Sequence, residues 1–213
     1  MKKILSVLLA AVFAFVIAGC GEKTLEEKLA EFPYPQEMEI DYSMPVQDWE
    51  LIMENGVFFG MDYDLVKEIC AGDVYEFISD DENYASFLAG GVFYGFAADE
   101  NGVLHLQSMN MQNAEEYYGD YGIVQMGLFR DIHIGDTLES VFAKIPAEDT
   151  TLRQWQWQDI YGPNEDGSYA ALEYVANSYY ALRIGTPGGY MANFIFSREG
   201  RKILWVEIYD KVM

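Results

Sequence analysis

The side chains with chemical capacity are two histidines, His105 and His133, two cysteines, Cys20 and Cys70, and 35 acidic residues. Their spacing matches no reactive arrangement. There is no His-x-x-x-His, Glu-x-x-His or Cys-x-x-Cys pair, no Gly-x-Ser-x-Gly elbow and no phosphate-cradling glycine loop. A glycosidase-like carboxylate pair requires two acids at a set separation, and nothing in the chain marks which two. The runs Asp80-Asp81-Glu82 and Asn164-Glu165-Asp166-Gly167 lack the alternating acidic spacing of a calcium loop and read as solvated loops. No catalytic residue, cofactor or metal ligand is assigned. The expectation is a protein that is not an enzyme.

The aromatics suggest binding instead. In the run Ile203 to Tyr209, alternation puts Leu204, Val206 and Ile208 on one face of a strand and Trp205, Glu207 and Tyr209 on the other. Val103-Leu104-His105-Leu106-Gln107 reads against Ile203-Leu204-Trp205-Val206-Glu207, which adds His105 and Gln107 to the second face. A face mixing Trp, Tyr, His and a carboxylate suits a protein interface, where aromatics anchor the contact. It also suits sugar stacking, so a carbohydrate or small-ligand partner is the alternative. Trp155 and Trp157 share a face opposite Gln154, Gln156 and Gln158 and read as core.

The elements that would position this face come from a pattern used twice. Val57 to Cys70 and Phe129 to Pro146 each contain a glycine, Gly60 and Gly135, separated by 75 residues and followed six residues later by Val66 and Val141. Each glycine permits a tight turn. Asp62 and Thr137 are placed to cap the helices that follow. Val66, Ile69 and Cys70 then form one apolar stripe, and Leu138, Val141, Phe142 and Ile145 form the other. That places Cys70 in a core as a buried structural thiol. Beyond each helix the period changes to two. Val92 to Ala98 and Val103 to Met109 flank Asp99-Glu100-Asn101-Gly102, and Met191 to Ser197 and Ile203 to Tyr209 flank Ser-Arg-Glu-Gly, both as hairpins. Further strands are expected at 74–78, 123–128, 152–160, 170–176 and 180–184. Short helices are expected over Leu25 to Glu31 and Val46 to Glu54. The fold class expected is therefore α+β: two tandem helix-then-antiparallel-strand modules, with helices packed on one face of a shared or continuous antiparallel sheet. The boundaries are 1–19, 20–44, 45–122 and 123–213, the last two being the modules.

Residues 1–19 are a targeting segment. Lys2 and Lys3 precede the apolar run Ile4 to Ile17, which is too short for a stable membrane span, and Ile17-Ala18-Gly19-Cys20 closes it. Small residues before a cysteine resemble the bacterial lipobox. The resemblance implies removal of 1–19, acylation of Cys20 and a tether over residues 20–44, holding the protein outside the cytoplasm on a membrane. Removing 1–19, which hold two lysines and no acid, moves the net charge from −22 to −24. So acidic a body argues against nucleic acid as a partner. Apolar residues at 51 % and aromatics at 15 % exclude a disordered chain.

The residues Val57, Gly60, Met61, Asp62 and Val66, and again Phe129, Ile132, Gly135, Thr137 and Val141, carry a wider likeness. With the hairpins that follow, they resemble the beta-lactamase-inhibitor-protein fold and the SmpA/OmlA (BamE-like) family of small bacterial lipoproteins. The inhibitor protein's four-cysteine pattern is absent, so beta-lactamase binding is not carried over. The resemblance implies a protein-binding scaffold of the cell envelope. The reading is a lipid-anchored, non-enzymatic extracytoplasmic protein with a protein partner.

Overall fold

The computed structural model describes residues 23–31, 38–72, 74–80, 82–112, 126–146, 158–175 and 179–210. The chain divides into two units, Met1–Pro33 and Tyr34–Met213. In the first, Leu25–Ala30 forms α1 behind a capping box: Thr24 Oγ1 accepts from the Glu27 amide, and Glu27 accepts in return from the Thr24 amide. Among the described residues no helix is long and apolar enough to cross a membrane.

In the second unit, strands with two-residue alternation assemble into one antiparallel sheet. The elements are α2 (Tyr63–Ile69), β1 (Val74–Asp80), β2 (Tyr84–Ala89), β3 (Val92–Ala98), β4 (Leu104–Gln112), α3 (Leu138–Phe142), β5 (Gln158–Tyr161), β6 (Tyr169–Val175), β7 (Tyr179–Gly185), β8 (Tyr190–Ser197) and β9 (Ile203–Asp210). Among the described residues nine strands run in the order β1-β2-β3-β4-β9-β8-β7-β6-β5. The last strand thus lies beside β4 at the centre, where a sheet is best shielded. Both expected hairpins form, β3 with β4 and β8 with β9.

One face of this sheet is the core. Phe87, Tyr94, Phe96, Met109, Val206, Ile208, Phe194 and Leu182 are withdrawn from water along it. At about 25 cal/mol per Å² of apolar surface, such side chains contribute about 1.5–3 kcal/mol each to folding.

The layer over that face overturns the expected fold class. The structure shows a single sheet with short helices, not tandem modules in which helices cover the strands. Among the described residues α1, α2 and α3 have six, seven and five residues. At 1.5 Å per residue the longest of them spans about 10 Å, little more than two strand spacings. The cover comes largely from irregular chain and short turns: Val46, Leu51, Met53, Val57, Phe59 and Met61, then Leu128, Phe129 at the start of a 3-10 turn (Phe129–Asp131), Ile132 and Ile134, all buried. Phe59 packs on Tyr190 with ring centroids 5.0 Å apart, and Phe129 packs edge-on against Phe194 at 5.7 Å. The helix expected over Val46 to Glu54 is reduced to a 3-10 turn, Asp48–Glu50. Val46, Leu51 and Met53 are buried without a continuous helix, and Trp49 is half-buried.

Some local readings hold. Gly60 and Gly135 both adopt positive φ, 80° and 91°. Each donates its amide to a strand of the central pair, Gly60 to Leu106 O at 3.1 Å and Gly135 to Ile203 O at 3.0 Å. Val66, Cys70, Leu138, Val141, Phe142 and Ile145 are buried as the stripes require, while Ile69 is only half-buried. Thr137 caps α3, accepting from the Ser140 amide at 3.2 Å. Asp62 occupies the corresponding position before α2 but makes no side-chain cap bond. The expected strand at 123–128 is absent over 126–128, and its remainder lies outside the described residues, as do Trp155 and Trp157.

Candidate functional site

On the sheet face opposite the core, the register brings a polar and aromatic cross together around Glu207. Along β9, alternation places Trp205 and Tyr209 two residues to either side of Glu207, on the same face and about 7 Å away along the strand. Across the strands, Glu207 pairs with Asn110 of β4 and with Asn193 of β8. The same row continues through Phe93 of β3 on one side and Arg183 of β7 on the other. Trp205 is 38 % exposed. Phe93, Asn110, Glu207, Tyr209, Asn193 and Arg183 are half-buried.

The polar groups of the cross are incompletely paired. Asn193 Nδ2 donates to Glu207 Oε2 at 3.5 Å, a long contact that orients the amide. The Oδ1 atoms of Asn193 and of Asn110 are buried and accept no hydrogen bond. A buried acceptor left unmet costs about 1–3 kcal/mol, so two of them beside a carboxylate are a feature to be explained. Arg183 Nη2 lies 3.8 Å from Glu173 Oε2 on β6, a loose and partly exposed ion pair.

Two glycines shape the neighbouring row, Gly95–Ser108–Tyr209–Met191–Gly185–Tyr169. A Cβ at Gly95 would stand 2.5 Å from Ser108 Oγ, and one at Gly185 would overlap the Tyr169 ring. Those missing side chains let Ser108 and Tyr169 lie across the sheet. Tyr169 Oη donates to Met191 Sδ at 2.7 Å. Burial pushes the Tyr169 phenol up from its ordinary range and nearby Tyr209 adds to that, while Arg183 pulls the other way.

The sequence-derived face is thus half assembled. Trp205, Glu207 and Tyr209 do share it. His105 and Gln107 do not join them: β9 meets Ser108, Asn110 and Gln112 of β4 instead. Equivalent hydrogen bonds set Leu106, not Val103, against Ile203, and the bridges Asp62–His105 and Thr137–Lys202 repeat that offset. Bulges complete the correction. Gln107 is the extra residue where Gly95 and Phe96 face Ser108 and Leu106. Leu204 is the extra residue where Ile195 and Phe196 face Trp205 and Ile203. The buried set of β9 is therefore Ile203, Val206 and Ile208, with Leu204 only half-buried.

His105 belongs to a separate cluster at the start of β4. Its Nδ1 lies 3.1 Å from Gly60 O and 3.0 Å from Asp62 Oδ1, and its Nε2 lies 3.5 Å from Asp99 Oδ2. This arrangement ties the α2 turn to the β3–β4 loop. Among the described residues no three His, Cys, Asp or Glu side chains are grouped to hold a metal. In the Asn164–Gly167 turn, Asp166 Oδ1 accepts from the Ser168 amide and hydroxyl, at 2.9 and 2.6 Å, which shapes the loop internally.

Sequence reading missed a buried ion pair. Arg130 donates to Glu50 through Nε at 2.5 Å and Nη2 at 2.8 Å, to Lys144 O at 2.8 Å and to Met44 O at 3.0 Å. The available signal was an arginine set among apolar residues in so acidic a chain. The pair borders a cleft of ≈ 360 Å³ lined in part by Met38, Ile40, Trp49, Glu54 and Phe129. With its guanidinium turned to these protein acceptors, Arg130 acts as a latch between segments.

No family model matches the chain, and no curated protein matches it. Among solved structures, a cysteine-rich secretory protein from Staphylococcus aureus subsp. aureus Mu50 is similar at a TM-score of 0.38 and 13 % identity. The match covers 78 % of this chain and 45 % of that one, so the chain spans less than half the length of that structure. A likeness so slight carries no argument about function.

Proposed function

We propose that this chain is a lipid-anchored, non-enzymatic binding protein of the cell envelope, held outside the cytoplasm by acylated Cys20. It recognises another protein through the face centred on Glu207. The anchor rests on the sequence Ile17-Ala18-Gly19-Cys20. The observation that carries the binding reading is the cross itself: Trp205 and Tyr209 flank a carboxylate whose two cross-strand neighbours present unmet acceptors. Trp and Tyr are among the usual anchors of protein interfaces.

Site-specific photocrosslinking in the intact cell tests both parts. A photoreactive residue at Trp205 yields a discrete adduct with one partner, and the same residue at Glu68, exposed on α2, does not. Equal labelling from both positions removes the proposal. Replacing Cys20 with Ser releases the protein from the membrane fraction if the anchor is correct. A saturable response of the face to an oligosaccharide, with no protein adduct, assigns the site to sugar instead.

A further inference from the structure

The geometry points to a guanidinium as the group seated on the cross: an arginine side chain of the partner protein. The inference rests on the protein-binding reading above and adds the chemistry of the contact. Three features converge on it. The unmet atoms are acceptors, Asn110 Oδ1 and Asn193 Oδ1, and the group paired between them is the Glu207 carboxylate. A ligand that meets all three must bring several donors in a fixed array and no acceptor of its own. Guanidinium has five N–H donors in one plane and accepts none. It also forms two-point bonds to a carboxylate, which a point-charge ammonium cannot reproduce.

The side chains along the strand supply the second feature. Trp205 and Tyr209 stand on either side of Glu207, and an aromatic face attracts a cation held within about 6 Å of it. A guanidinium stacked on Trp205 keeps its N–H edge turned toward Glu207 and the two amides. Charge supplies the third. The chain carries a formal net charge of −22. The described cation nearest in the row is Arg183, partly exposed and set against Glu173. A basic partner is drawn to such a surface and an acidic one repelled.

The test is a fluorescence titration of the full chain, in detergent at low salt, with a blocked Gly-Arg-Gly peptide. The controls are blocked Gly-Lys-Gly and Gly-citrulline-Gly, since citrulline keeps the planar shape and loses the charge. The arginine peptide is expected to give a saturable change in tryptophan emission that disappears in Trp205→Phe. Citrulline is expected to bind at least tenfold more weakly, lysine more weakly than arginine, and Glu207→Gln is expected to weaken the arginine peptide at least tenfold. Asn193→Leu removes an unmet acceptor at similar volume, so it should leave thermal stability unchanged or raised while binding falls. Equal affinity for arginine and citrulline overturns the inference, as does a Glu207→Gln titration identical to that of the parent. If Glu207→Gln keeps the Trp205 photocrosslink while the arginine peptide gives no response, the guanidinium inference fails and the protein-binding reading stands. Loss of the crosslink in the parent chain itself ends both.

Discussion

Arg130 Nε and Glu50 Oε2 stand 2.5 Å apart with both side chains almost wholly withdrawn from water, at 0 % and 2 % exposure. The arginine reaches this position from a left-handed backbone, φ 55° and ψ 28°, which L-residues seldom adopt. Its further bonds to Met44 O and Lys144 O tie its own 3-10 turn, Phe129–Asp131, to the segment before Asp48–Glu50 and to the turn that follows α3. The covering layer, short of helices, is held by this one side chain as well as by its apolar residues.

The latch predicts a large penalty for removing either partner alone. Glu50→Gln or Arg130→Met should each cost about 3–5 kcal/mol, because the remaining charge is buried without its counter-charge. The double variant should lose much less than the sum of the singles. Denaturant unfolding measures all three, and strictly additive losses would show that the pair is not coupled.

At Gly60 and Gly135 the left-handed backbone, rather than crowding, excludes a side chain. A Cβ at either position meets nothing within 4 Å. Gly60→Ala and Gly135→Ala should therefore each cost about 1–2 kcal/mol from backbone conformation alone. Similar losses at both sites support this origin. An unchanged unfolding midpoint at either site contradicts it.

Acid should loosen the β3–β4 hairpin through Asp99. The Val103 amide, with help from Asn101 and His105, holds the Asp99 carboxyl below the ordinary carboxylate range. A folded-state pKa lower than the unfolded one gives stability that is present above the unfolded value, about 3.9. It is lost as pH falls through the folded value. Asp99→Asn should flatten this part of the acid unfolding profile, and NMR titration of the Asp99 carboxyl should show a midpoint lower than in a denatured reference. A midpoint at or above that reference sinks the assignment.

The two faces of β8 and β9 should respond in opposite ways to truncation. Trp205→Ala, on the exposed face, should change stability by no more than about 0.5 kcal/mol. Phe194→Ala, fully buried on the other face, should cost about 3–5 kcal/mol. Thermal unfolding of the two variants makes the comparison. A Trp205→Ala loss as large as that of Phe194→Ala would make Trp205 a core residue and remove it from the site.

Most of the strands were legible because alternation is local, as the hairpins around Asp99–Gly102 and Ser197–Gly200 show. Strand β2 escaped, since its buried set, Ala85, Phe87 and Ala89, alternates with Tyr84, Ser86 and Leu88, a second face that is not consistently polar. Yet the Gly90-Gly91 pair that turns it into β3, with φ of 56° and 79°, is a strong local hairpin signal.

By itself the sequence determined the apolar stripes around Val66 and Val141, the positive-φ turns at Gly60 and Gly135, and the partition of Trp205, Glu207 and Tyr209 from Val206 and Ile208. Each depends on residues a few positions apart. Only the tertiary structure decided what lies beside Glu207. Strands β4 and β9 lie far apart in the sequence, and their pairing, with the bulges at Gln107 and Leu204, puts Ser108 and Asn110 beside β9 in place of His105 and Gln107. It also decided that short turns and irregular chain would cover the sheet: burial rewards apolar area whatever its backbone, so Val57 and Phe59, and Phe129 from its 3-10 turn, pack as well as residues of a longer helix would. The Arg130–Glu50 latch, closing over 80 residues of sequence, has no local signature for the same reason.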